Sequence, residues 1–212
     1  MKRALLITGG REVSKDLIKK YKKNRFVLVA DGGARLLRKY NLKGDLLLGD
    51  LDSIGNESLK YVRENNIKFL KFPSQKAATD TELCINYLIN EKYEDIVILG
   101  ALGTRLDHEL ANLFLLKKLY NKGICAKIID DNNEVIYVKE GEYKFKKSDK
   151  KYFSLINAGE SLNFSTKGLF YEVENLKINN YNPGRAVSNE ILEDEATIII
   201  NSGSAFIIKS ID

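Results

Sequence analysis

Over the first 133 residues, short apolar runs alternate with stretches whose apolar residues recur every three or four positions. The runs are Ala4–Ile7, Phe26–Ala30, Leu46–Leu48, Phe69–Phe72, Ile96–Leu99 and Ala126–Ile129. Between them lie Lys15–Tyr21, Ala34–Tyr40, Ser58–Glu64, Thr81–Leu88 and Leu106–Tyr120, which carry the helical period. Strand, helix, strand repeated in this way predicts an α/β fold, a Rossmann-like parallel sheet with helices on both faces. Right-handed crossovers then place the loops that follow the strands along one rim.

From Glu134 onward the helical period is gone. Val135–Val138, Tyr143–Phe145, Tyr152–Ile156, Ser161–Phe164, Gly168–Tyr171, Ala186–Ser188, Thr197–Asn201 and Ala205–Ile208 are short and rich in β-branched or aromatic residues. Gly, Asn, Asp and Lys separate them, which predicts a small all-β sandwich. The turn-rich Asp130-Asp131-Asn132-Asn133 marks the boundary, giving an α/β domain over 1–133 and a β-sandwich domain over 134–212.

Composition narrows the class. The chain of 212 residues is 44% hydrophobic and 30% charged, a globular balance rather than a disordered one. No apolar run approaches the roughly 18 residues needed to span a bilayer, so no membrane partner is expected. Met1-Lys2-Arg3 followed by Ala4–Ile7 reads as a first strand, because the apolar stretch stops at Thr8-Gly9-Gly10. Cys84 and Cys125 are expected to be buried free thiols in a reducing, cytoplasmic setting. Neither a CxxC nor a Cys/His cluster is present, which argues against zinc. The net charge of +5 is spread along the chain. Its densest run, Lys19 to Arg25, reads as a helix end near the negative pole of the dipole. It lacks the aromatic series of a nucleic-acid site, so no nucleic-acid partner is expected.

The chemistry gathers where the strands end, the rim at which such sheets bind ligands. Gly9-Gly10 follows the first strand; paired glycines suit close approach to a phosphate, or a plain turn. Asp31-Gly32-Gly33 follows the second, where Asp31 is either a ligand or a helix cap. Asp50-Leu51-Asp52 follows the third. Two carboxylates at this spacing repel unless a cation sits between them, and Mg²⁺ takes such oxygens together with substrate phosphates. Asp80 stands at a helix start after the fourth strand. After the fifth come Arg105, whose fork suits phosphate, then Asp107, His108 and Asn112. His108 and Asn112 share a helix face. Acids, a divalent cation and an arginine are the equipment of phosphoryl-type transfer. There is no GxxxxGK[ST] and no GxGxxG.

At these residues the chain resembles the thiamine pyrophosphokinase family. The resemblance runs in order through Asp31-Gly32-Gly33-Ala34, Gly49-Asp50-Leu51-Asp52-Ser53, Thr79-Asp80 with Glu82, Gly100-Ala101-Leu102-Gly103 with Arg105, Asp107 and His108, and Asn112. Thr166, Gly168-Leu169 and Ser188-Asn189-Glu190 extend it into the β half. Ala77 stands where the family usually has a carboxylate, and Thr104 where many members have glycine.

The resemblance implies transfer of diphosphate from ATP to the hydroxyl of thiamine, with AMP as the second product. It implies Mg²⁺ at Asp50, Asp52 and Asp80, with Arg105 and Asp107 in the catalytic set. ATP contacts are expected at Gly9 and Gly10, read from the residues themselves, and at Asp31, Gly32, Gly33, Asp52, Arg105, His108 and Asn112. Thiamine would meet Asp80 together with Ser188 and Asn189. A cytoplasmic homodimer with active sites at the subunit interface is also implied. Three other functions fit the residues alone: a pyrophosphokinase for another alcohol such as a hydroxymethyl-pterin, a nucleotide-binding regulatory module without catalysis, and, last, a nucleic-acid binder.

Overall fold

A computed structural model describes residues 1–50, 54–71, 78–103 and 105–212. The chain divides into two compact units, Met1–Asp131 and Asn132–Asp212.

In the first unit the alternation of runs and periodic stretches becomes β1 (Arg3–Ile7), α1 (Lys15–Lys22), β2 (Phe26–Ala30), α2 (Ala34–Tyr40), β3 (Leu46–Gly49), α3 (Asn56–Glu64), β4 (Lys68–Lys71), α4 (Asp80–Asn90), β5 (Asp95–Leu99), α5 (Leu106–Asn121) and β6 (Cys125–Ile129). Local chemistry sets several ends. Ser14 caps α1 by accepting from the Leu17 amide at 3.3 Å, and Thr79 caps α4 by accepting from the Glu82 amide at 3.3 Å. The lysine run does fall in the last turn of α1, where Lys19, Lys20 and Lys22 face the dipole's negative end.

The strands pair in parallel in the order β6-β5-β1-β2-β3-β4. Residues of both parities are buried in the central strands: Leu5, Ile7, Val27 and Val29, but also Ala4, Leu6, Leu28, Ile96 and Ile98. A strand buries both parities only when both faces of its sheet are covered. One face packs with Ile18, Leu36, Leu37 and Val62 from α1, α2 and α3. Each such aliphatic side chain stabilises the fold by about 1.5–3 kcal/mol. The order also creates a switch point. From β1 the chain steps outward through β2, β3 and β4, then returns to β1's other flank as β5. The chain leaving β1 and the chain leaving β5 therefore turn toward opposite faces of the sheet and leave a crevice at the strand ends.

The second unit is all β: β7 (Asn133–Lys146), β8 (Tyr152–Lys167), β9 (Leu176–Asn179), β10 (Asn189–Glu190) and β11 (Glu195–Ser210). The strands are antiparallel, in the order β10-β8-β11-β7, with β9 also on β8. The sequence pattern misjudged strand length here. Val135–Val138 and Tyr143–Phe145 are one strand, as are Tyr152–Ile156 with Ser161–Phe164, and Thr197–Asn201 with Ala205–Ile208. The polar breaks between them stay within strand, where the pairing shifts register; Gly141, for example, pairs with Ile200. Gly168–Tyr171 is not a strand and keeps only an isolated bridge from Leu169 to Ile191. Ala186 ends a 3₁₀ turn, and Ser188 has a left-handed φ of 58°. Cys84 is buried as expected, but Cys125 is exposed at the start of β6.

Candidate active site

The crevice at the switch point holds a cavity of about 920 Å³. Its walls come from the loop after β1 (Thr8 to Glu12), Gly32 after β2 with Arg35 in the first turn of α2, the start of α4 (Thr79 and Asp80), Gly100, Ala101, Gly103 and Arg105 after β5, and His108 and Asn112 on α5.

Backbone contact between loops shapes this cavity. The Gly10 amide donates to the Gly100 carbonyl at 2.7 Å, and the Arg11 amide donates to the Leu102 carbonyl. The Thr8 hydroxyl also donates to the Gly100 carbonyl, at 2.5 Å. Gly100 has φ of +70°, which a glycine adopts without strain. The glycines after β1 therefore serve loop-on-loop packing. The Gly10 N–H is engaged within the protein, while Gly10 itself lines the cavity.

The start of α5 is tied back in the same way. Asn112, buried on the cavity wall, donates from Nδ2 to the Ala101 carbonyl at 2.7 Å. The Gly103 amide donates to Glu109 Oε1 at 2.6 Å. His108 lines the cavity one helical turn before Asn112. Arg105 is on the wall too, but its fork is closed on Asp107: Nε to Oδ1 at 3.2 Å and Nη2 to Oδ2 at 2.6 Å. Asp107 holds the Arg105 guanidinium above its usual value, and Arg105 draws the Asp107 carboxyl below its own. Both are largely exposed, so solvent screens the pair.

Three carboxylates, Asp31 after β2, Asp50 after β3 and Asp80 at the start of α4, act on one another electrostatically, and one of them lines the cavity. Asp80 lines it at the first turn of α4. A helix N-terminus ordinarily lowers a carboxyl pKa. Here burial pushes it up, the charges of Asp50 and Asp31 push it further, and His108 opposes them. Asp31 is fully buried, and a Cβ placed on Gly49 would lie 2.7 Å from its own Cβ. It packs below the rim, against the end of β3. Glu82 is taken by Lys118 at 2.8 Å, an ion pair joining α4 to α5.

Of the residues the sequence marked, Gly9, Gly10, Gly32, Asp80, Arg105, His108 and Asn112 meet on one wall. Asp31, Gly33, Asp50 and Asp107 stand off it. Asp52 lies outside the described residues, as do Ala77 and Thr104. Among the described residues no three His, Cys, Asp or Glu side chains form a metal-holding group. Ser188 and Asn189 belong to the second unit. There the Ser188 amide donates to the Ser154 hydroxyl at 3.0 Å. The Asn189 side chain clamps a loop, accepting from the Tyr171 amide at 3.0 Å and donating to the Tyr171 carbonyl at 2.8 Å. Sequence reasoning missed Arg11, Glu12 and Arg35, all on the cavity wall. Their only signal is position: two of them directly follow Gly9-Gly10, and Arg35 follows Gly32-Gly33-Ala34.

Comparison with known proteins bears on this site. Residues 17–128 match the family model described as thiamin pyrophosphokinase, catalytic domain, and residues 136–205 match thiamin pyrophosphokinase, vitamin B1 binding domain. The thiamine pyrophosphokinase of Bacillus subtilis (strain 168) is 28% identical over 166 residues, 77% of each chain. The crystal structure of thiamine pyrophosphokinase from Bacillus subtilis superposes with a TM-score of 0.90 at 25% identity, covering 100% of both chains. That of a thiamin pyrophosphokinase family protein from Enterococcus faecalis does so with a TM-score of 0.85 at 28% identity, again over 100% of both.

Proposed function

The chain belongs to the thiamin pyrophosphokinase family, and from that premise we infer that it transfers diphosphate from ATP to the hydroxyl of thiamine. The observation that carries this is the switch-point cavity, walled by Asp80, Arg105, His108 and three glycine-bearing loops, within the stretch that matches the catalytic-domain model.

In the reaction the thiamine hydroxyl oxygen attacks the β-phosphorus of ATP. The bond from that phosphorus to the oxygen bridging the α-phosphate breaks, AMP departs with that oxygen, and the hydroxyl proton is released. Arg105 would leave Asp107 for a phosphate oxygen as charge develops. Burial first, and then the charges of Asp50 and Asp31, push the Asp80 carboxyl up, and a divalent cation at these carboxylates would offset both. Asp50, Asp52 and Asp80 would hold Mg²⁺, which when bound neutralises phosphate charge. Ser188 and Asn189 lie in the stretch matching the vitamin B1 binding model and would contribute to the thiamine site.

The enzyme acts as a homodimer in this proposal. Support comes from Leu106, Leu110 and Phe114, exposed apolar residues four apart on α5, on the helix face opposite the cavity-lining His108 and Asn112. A cytoplasmic location accords with two free thiols. Among the described residues no helix is long and apolar enough to cross a membrane.

The test is AMP release from Mg-ATP with and without thiamine. Thiamine-dependent AMP matched by thiamine diphosphate, and abolished by EDTA, is the expected result. AMP release unaffected by thiamine, or none despite ATP binding, would move the pterin and regulatory functions ahead.

A further inference from the structure

Arg35 stands where its helix does not favour a cation. It lies in the first turn of α2, beside the positive end of the helix dipole, and that turn contains no acidic residue. Its side chain crosses to the loop after β1 and donates from Nη2 to the Gly9 carbonyl at 3.1 Å and to the Gly10 carbonyl. Both bonds use one nitrogen of a group with five N–H donors. Arg35 also forms part of the wall of the main cavity.

The loop after β1 is fastened to α2 at a second point. Glu12 accepts from Lys39 and, at 3.0 Å, from the Tyr40 hydroxyl. These partners draw the Glu12 carboxyl below its usual range. Glu12 is thus committed to Lys39 and Tyr40. The Arg35 fork is held in place by carbonyl oxygens, which fix its orientation without hydrogen-bonding it to a carboxylate, though its charge is felt by Glu12 nearby. Arg105, the other arginine expected to meet phosphate, is already closed on Asp107.

We propose that Arg35 binds the phosphate oxygens of the nucleotide in this cavity through Nε and Nη1, while Nη2 keeps its grip on Gly9 and Gly10. One side chain then links phosphate occupancy to the loop that forms the cavity wall. This rests on a nucleoside triphosphate being the ligand of the cavity. A guanidinium pre-oriented by neutral acceptors suits this task, since little side-chain freedom remains to be lost on binding.

The experiment is calorimetric titration of the wild-type, Arg35→Gln and Arg35→Lys proteins with Mg-ATP, with adenosine measured by competition. The Gln variant is expected to bind Mg-ATP at least tenfold more weakly and adenosine unchanged, with the Lys variant in between. In the thiamine-dependent AMP assay, KM for ATP should rise more than kcat falls. Equal losses for ATP and adenosine would reduce Arg35 to a loop fastener, and no loss for either would remove it from the site; both overturn the proposal. Should the Gln variant fail to fold, the Lys variant decides: weaker ATP with unchanged adenosine supports it, and unchanged binding of both overturns it. Failure of wild-type protein to bind Mg-ATP would instead sink the functional assignment, whatever Arg35 does.

Discussion

Gly10 and Gly100 meet backbone to backbone: the Gly10 amide donates to the Gly100 carbonyl at 2.7 Å, and a Cβ on Gly10 would collide with that same oxygen. The Leu102 carbonyl closes the other side of the same space. Gly10→Ala must therefore push the loop after β1 away from the β5–α5 loop. Overpacking of this kind costs about 1–3 kcal/mol. Urea denaturation should show the loss, and ATP binding should weaken because both loops wall the cavity. A fully stable Gly10→Ala protein would mean that the loops yield freely.

Asp80 trades stability for chemistry. Its folded-state pKa lies above the ordinary carboxyl value, first through burial and then through Asp50 and Asp31. In the interval between the ordinary and the raised value the native state binds more protons than the unfolded one, so stability falls as pH rises through it and stays lower above. Asp80→Asn removes that penalty. The ligand-free variant should melt higher than wild type at neutral pH and lose the associated pH dependence, while its turnover drops by several kcal/mol of lost charge stabilisation. Equal melting temperatures at neutral pH would show that the carboxylate carries no such strain.

Asn112 anchors the β5–α5 loop through Ala101. Asn112→Ala leaves a buried carbonyl without its donor, at a cost of about 1–3 kcal/mol. Asn112→Asp should be worse, since an acceptor then faces an acceptor. Chemical denaturation of the two variants checks both the loss and its order. If Asn112→Ala were neutral in stability but poor in ATP binding, its part would be ligand contact rather than loop anchoring.

In the second unit, Asn189 holds Tyr171 by both its amide and its carbonyl. Asn189→Ala should speed hydrogen exchange at residues 169–173 and raise KM for thiamine. Unchanged exchange with a raised KM would assign Asn189 to the ligand directly, without the clamp.

The first unit was legible because its periods are local. Apolar spacing in Ala34–Tyr40 or Leu106–Tyr120 reports the helix itself, and both helices form within a residue or two of expectation. The candidate chemical residues stand out in the same way, as polar punctuation after apolar runs. Their roles were less legible. Asp31 looked like a rim ligand or a cap, yet it is packed beneath the rim against the end of β3. Arg105 looked free to meet phosphate, yet its nearest carboxylate partner is only two residues away. In the second unit the period-2 signal fails where a strand bends through solvent: Lys139 to Glu142 reads as a turn by residue type but lies within strand, at a register shift in its pairing.

The sequence by itself determined the alternation of strands and helices and the placing of glycines and acids at strand ends, since both follow from side-chain pattern over a few residues. Only the tertiary structure decided which strand ends become neighbours. The order β6-β5-β1-β2-β3-β4 sets the loop after β1 against the loop after β5, far apart in the chain. Gly10 can meet Gly100, and Arg35 can reach Gly9, only because sheet pairing buries those strands side by side, and no local spacing encodes that choice.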